Sequence, residues 1–188
     1  MKLLRLIPVL FLLASCGGPQ ESGEMDNMPA PELALIKRFN TADSAYSLND
    51  NAIKKQEALT YHQEAIVKFI TDTLRGNADK WFGVINKIAP SMYADGVFEV
   101  TILVPKKNHL SEKLPEFNTI RLSAKVDSNV VVKNALKDMK KGDRVILTGT
   151  FVKDIVGKID FHGNNFDSRD TFGEPELNFN IENIEKRK

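Results

Sequence analysis

The chain has 188 residues, with 26 Lys and Arg against 25 Asp and Glu, and a formal net charge of +1 at pH 7. So even a balance excludes recruitment of nucleic acid or anionic membrane by bulk charge. The single cysteine, Cys16, excludes an internal disulfide and a cysteine-based zinc site, so stability has to come from a packed core.

Lys2 and Arg5 open the chain, residues 6–13 are apolar, and Ala14 and Ser15 are small residues ahead of Cys16. This is the layout of a secretory signal peptide over residues 1–15. The apolar run is shorter than the roughly 20 residues of a membrane-spanning helix. Leu13-Ala14-Ser15-Cys16 resembles the lipobox of bacterial lipoproteins, which implies that the Cys16 thiol is acylated and that Cys16 becomes the mature N-terminus. In that family an aspartate after the cysteine retains the protein in the inner membrane. Gly17 in its place implies the outer membrane, with the folded part on the periplasmic face or the cell surface. Loss of Lys2 and Arg5 with the signal takes the formal charge from +1 to −1, because no acid leaves with them. Residues 16–30 carry Gly, Pro and acidic or amide residues without an apolar period and read as a flexible tether. Residues 31–188 amount to about one domain's worth of chain, divided into a helical segment over 31–78 and a barrel domain over 79–188.

Pro31 and Glu32 suit the first turn of a helix, where proline needs no N–H partner and an acid meets the positive dipole end. Leu35, Phe39, Ala42 and Tyr46 then recur on one face. Asn49, Asp50 and Asn51 are competent N-caps for a second helix bearing Leu59, Ile66, Phe69, Ile70 and Leu74, which Arg75-Gly76 stops. His62 lies on that stripe and reads as an imidazole packed at the edge of the helix contact. From Trp81 the period becomes alternating. WFGVINKI and VFEVTILV read as antiparallel neighbours joined by the turn residues of PSMYADG, and TIRLSAKV as a third strand. Ala135, Leu136 and Met139 mark a short helix closed by Lys140-Lys141-Gly142, Val145, Leu147 and Gly149 begin a fourth strand, and LNFNIENIEK forms a fifth. In that last strand Leu177, Phe179, Ile181 and Asn183 are expected on one face, and Asn178, Asn180, Glu182 and Ile184 on the other.

The expected class is therefore α+β: an N-terminal helical segment followed by a small five-stranded OB-type β-barrel, with a helix between strands three and four. The region from Trp81 to Ile184 resembles the bacterial tRNA-anticodon-like OB family of small exported proteins, through WFGVINKI, the run LKDMKKGDRVILTG from Leu136 to Gly149, and FGEPELNFNIENI. The stretch AYSLNDNAIKKQEA, Ala45 to Ala58, is similar to the helix preceding the barrel in that family. The resemblance implies fold and a nucleic-acid ancestry, and fold does not determine function.

The connection over residues 153–176 is the most unusual stretch, long for a link between two strands of one barrel. In OB-folds the loops between strands one and two and between strands four and five frame the ligand face. The stretch is accordingly expected to form a binding rim, with Phe161, Phe166 and Phe172 as stacking surfaces and Lys158 and Arg169 as charges. The alternative is an excursion that Ile155, Ile159, Phe161 and Phe166 pack onto the barrel. Asp160, His162, Asn164, Asp167 and Asp170 offer a conceivable metal site, but without the spacing of an EF-hand. Lys106, Lys107, Lys113, Lys137, Lys140 and Lys141 are interleaved with Glu112, Glu116 and Asp138 and read as a solvated mixed face. No nucleophile elbow, P-loop or zinc-protease motif occurs. The reading is a lipid-anchored envelope module that binds an oligosaccharide, a peptide or a partner protein, with neither catalytic residue, metal nor cofactor. Single-stranded nucleic-acid binding is its alternative, and metal-dependent hydrolysis through the Asp160 to Asp170 loop a distant third.

Overall fold

Proline and glutamate open the first helix where the sequence places them. In the computed structural model, which describes residues 27–107, 118–159, 161–163 and 170–187, helix α1 spans Ala30–Ser47 and buries Leu35, Ile36, Phe39, Ala42 and Tyr46. Asn51 caps α2, Ala52–Lys68, by accepting from the backbone N–H groups of Ile53 and Lys54 at 2.9 and 3.2 Å. Such a cap contributes about 1 kcal/mol. The end of α2 widens into a π-helical turn, Phe69–Thr73. Its exit is made by Arg75 and Gly76 at positive φ, 53° and 76°, with Gly76 N–H donating to Ile70 O at 2.8 Å.

Among the described residues six strands follow: β1 (Asn77–Pro90), β2 (Phe98–Pro105), β3 (Thr119–Val126), β4 (Arg144–Phe151), the short β5 (Phe161–Gly163) and β6 (Pro175–Lys186). β1 pairs antiparallel with β2 and β4, β2 with β3, and β4 with β6, while a parallel pairing of β3 with β6 over Arg121–Ser123 closes the ring. This closed ring of five long strands is the expected OB-type arrangement, in which closure hides strand edges. Helix α3, Val130–Lys137, lies between β3 and β4 with Asn129 as its cap. The barrel interior holds Trp81, Phe151 and Phe179 edge to face, at 5.5 and 5.4 Å between ring centroids. Gly149 permits the tight β4–β6 approach, since a Cβ there would run into Asn180 O and the Phe179 ring.

Among the described residues three register shifts shape the wall, one of them in β1 against β2 between Ile85 and Lys87. In β1 the register shifts between Ala78 and Trp81, and Lys80 takes φ 54° while its N–H donates to Thr148 Oγ1 at 3.1 Å. In β6, Thr148 pairs with Asn183 but Gly149 with Ile181, so Glu182 is an extra residue. The bulge resets the alternation. Ile184 is consequently buried and Asn183 exposed, the reverse of the faces expected for these two.

The pairings also sort the connections by barrel end. Asn77 opposite Thr150, Pro105 opposite Thr119 and Arg121 opposite Glu176 place the start of β1, the end of β2 and the excursion between β4 and β6 together. Pro90 opposite Phe98, Phe98 opposite Val126 and Val145 opposite Lys186 place the β1–β2 hairpin and α3 at the other end.

Candidate functional site

The end expected to carry a binding rim is occupied by the chain itself. Phe161 and Phe172, expected as stacking surfaces, are 6% and 1% exposed. Phe161 meets Phe39 of α1 at 5.4 Å, and Phe172 meets Tyr46 of α1 at 6.5 Å and His62 of α2 at 6.2 Å, all edge to face. Helices with apolar stripes must bury them on something, and these two rings supply part of the counter-surface. They are core residues, and the stacking role does not survive. His62 sits where expected, half-buried at the helix contact. Ile159 is buried as an excursion anchor, but Ile155 is fully exposed in a tight turn closed by Asp154 and Lys158. Lys158 is exposed in that turn. Phe166 and Arg169 lie outside the described residues, as do Asp160, Asn164 and Asp167 and the side chains of His162 and Asp170. Among the described residues no group of three or more His, Cys, Asp or Glu is arranged for a metal ion.

Two ionisable side chains fasten α1 to this end. Glu32 is fully buried, and both its carboxyl oxygens face the Phe82 N–H, at 3.1 and 3.0 Å. β1 pairs with β2 only from Val84 onward, so Glu32 accepts from a backbone donor on the unpaired side of β1. Desolvation pushes its carboxyl up to about 8, against the smaller opposing effect of that hydrogen bond. Lys106, expected on a solvated face, is 1% exposed. Its Nζ donates to Phe172 O and Gly173 O at 2.7 and 2.9 Å and lies 3.9 Å from Asp43 of α1. Asn40 Nδ2 of α1 donates to Lys106 O at 3.0 Å. Desolvation holds the ammonium down to about 8, opposed by Asp43 and Glu174 and reinforced by Lys107.

At the opposite end α3 turns Val132 and Leu136 inward. Met92 and Tyr93 in the β1–β2 turn and Val130 and Val131 on α3 are largely exposed. Against α3 lies a cleft of about 310 Å³, with Ile88, Phe98, Val130 and Leu136 as apolar lining and Lys133, Asn134 and Lys137 along one side. Lys133 Nζ donates to Gly96 O at 2.7 Å and stands 5.9 Å from the Phe98 ring centroid, within reach of a cation–π contact. A second cleft, about 370 Å³, runs between α1 and α2 and is lined by Lys37, Arg38, Tyr61 and His62 among others. There Arg38 is turned onto the Phe69 ring, at 4.2 Å.

Sequence reasoning passed over the α3 cleft. Its signal was present in Val130-Val131-Val132, where a short helix can turn only part of a three-valine run inward. Val132 is buried and its two predecessors are not. Comparisons of the chain with protein-family models, with curated proteins and with solved structures give no match. No helix among the described residues is long and apolar enough to cross a membrane.

Proposed function

We propose that this protein is a lipid-anchored module of the bacterial cell envelope, held in the outer membrane through an acylated Cys16, whose barrel binds a peptide, an oligosaccharide or a partner protein. The observation that carries the binding role is the asymmetry of the barrel. One end is covered by α1, α2 and the described part of the excursion, while the other keeps an apolar cleft against α3 and carries the exposed Met92, Tyr93, Val130 and Val131. Exposed apolar residues grouped around a cleft are a usual feature of interaction sites. The anchor rests on the Leu13-Ala14-Ser15-Cys16 lipobox and the signal layout ahead of it.

A photo-crosslinking residue in place of Val131, compared with one in place of the similarly exposed Val156, tests the binding role in intact envelopes. A crosslinked product specific to the first position is expected, and equal or absent crosslinking at both overturns the reading. For the anchor, Cys16→Ser is expected to abolish acyl labelling and membrane fractionation. Labelling that persists refutes it.

Single-stranded nucleic acid is the second reading, favoured by Phe98, partly exposed beside Lys133 and in one cleft with Lys137. Base stacking on such rings is worth about 1–3 kcal/mol each. Phosphate contacts would make binding fall steeply with salt, so oligonucleotide binding that is absent or insensitive to salt removes it.

A further inference from the structure

We propose that the cleft between α3 and the β1–β2 hairpin takes a short acidic peptide segment of another protein, with one large apolar side chain seated against Phe98 and Leu136 and carboxylates on Lys133 and Lys137. This rests on the interaction-module reading and supplies the chemistry of its partner.

The size and lining of the cleft set the first requirement. Its volume of about 310 Å³ lies at the small end of ligand sites, and its apolar floor offers few hydrogen-bonding groups. That suits one bulky apolar side chain better than a sugar ring, which needs many polar partners.

Charge sets the second. Lys133 and Lys137 are one helical turn apart on α3, so their ammonium groups line the same side of the cleft. Each is steadied by a neutral oxygen, Gly96 O at 2.7 Å and Asn134 Oδ1 at 2.9 Å, and an ammonium has three donors. Among the described residues no acidic side chain lines the cleft. Among acids near it in sequence, Glu99 is engaged by Lys87 and Ser91 at 3.3 and 3.2 Å, and Asp127 accepts from Ser128 while its charge also reaches Lys133. Asp95 and Asp138 are outside the lining. Lys133 and Lys137 are the two cations of the lining. Such a field fits one or two carboxylates, whereas a phosphodiester chain or an anionic bilayer needs a cationic surface extending over several charges.

The test uses the full chain purified in detergent and fluorescent acetyl-Glu-Glu-Phe-Glu-Glu-amide, read by anisotropy. Its binding is expected to be at least tenfold tighter than that of the versions with Lys in place of Glu or Ala in place of Phe. Lys133→Glu combined with Lys137→Glu is expected to erase the preference for Glu over Lys, and Phe98→Ala the preference for Phe over Ala, each with the melting temperature lowered by no more than about 4 °C. Equal binding of the three peptides, or preferences that survive these variants, overturns the proposal. So does binding to vesicles containing phosphatidylglycerol, to oligothymidylate or to a second copy of the chain that depends on Lys133 and Lys137 while the peptide fails. A Val131 crosslink in envelopes with no peptide preference overturns the acidic chemistry and leaves the module reading standing. Loss of both overturns both.

Discussion

The two ends of the barrel use similar residue types to opposite purposes. At the helix-capped end, phenylalanines and a lysine are withdrawn from water. Phe39, Phe161 and Phe172 pack together, and Lys106 directs its donors at backbone carbonyls. At the α3 end, Phe98 and Lys133 also sit together, but both reach solvent. An aromatic next to a lysine is therefore not a binding signature in itself. Whether another element of the chain has already covered the pair decides its role.

Substitutions separate the ends by magnitude. Phe39→Ala is expected to cost about 3–5 kcal/mol in urea unfolding, the range for removing a fully buried aromatic, and Phe98→Ala under about 1 kcal/mol. Comparable losses at both positions would break the contrast.

The next effect is in the pH dependence of stability. Between about 4.5 and about 8 the native chain keeps a proton on Glu32 that the unfolded chain has lost, so the stability this confers is complete below 4.5 and is lost as pH rises through about 8. Lys106 works in the other direction. Native Lys106 is the weaker base, so its contribution is complete above 10.5 and is lost as pH falls through about 8. Unfolding free energy is therefore expected to pass through a minimum near pH 8. Glu32→Gln should flatten the acid limb and Lys106→Met the alkaline one, each by about 1–3 kcal/mol at most. Profiles that keep both limbs in both variants would show that other groups set the pH dependence.

A smaller effect is expected at the α2 cap. Asn51→Ala should lower stability by about 1 kcal/mol, seen as a modest fall in urea midpoint. Smallest of all, Val131→Asp should change stability by less than about 0.5 kcal/mol, and a larger loss would mean that the exposed face of α3 is structural.

Most of the fold was legible because each element announced its period. The stripe Leu35, Phe39, Ala42, Tyr46, the cap at Asn51 and the alternation of TIRLSAKV depend on neighbours within a few positions, and the structure reproduces them. The phase of β6 was not legible. Its bulge at Glu182 exists because β4 and β6 count residues differently on either side of Gly149, which is a relation between two strands. The burial of Phe161 and Phe172 was not legible for a similar reason. Nothing local to Phe161 or Phe172 records that α1 and α2 fold back over them, and nothing local to Glu32 records that an unpaired N–H of Phe82, fifty residues away, will face it.

The amino-acid sequence by itself determined the order of the longer helices and strands, the caps and turns and the α+β class they imply, since all of these depend on short-range spacing and composition. Only the tertiary structure decided which aromatics are core, that Lys106 is buried and which barrel end keeps a cleft. Burial is a property of what else in the chain comes to rest on a residue, and contacts between α1 and a segment more than a hundred residues later are not written in any local pattern.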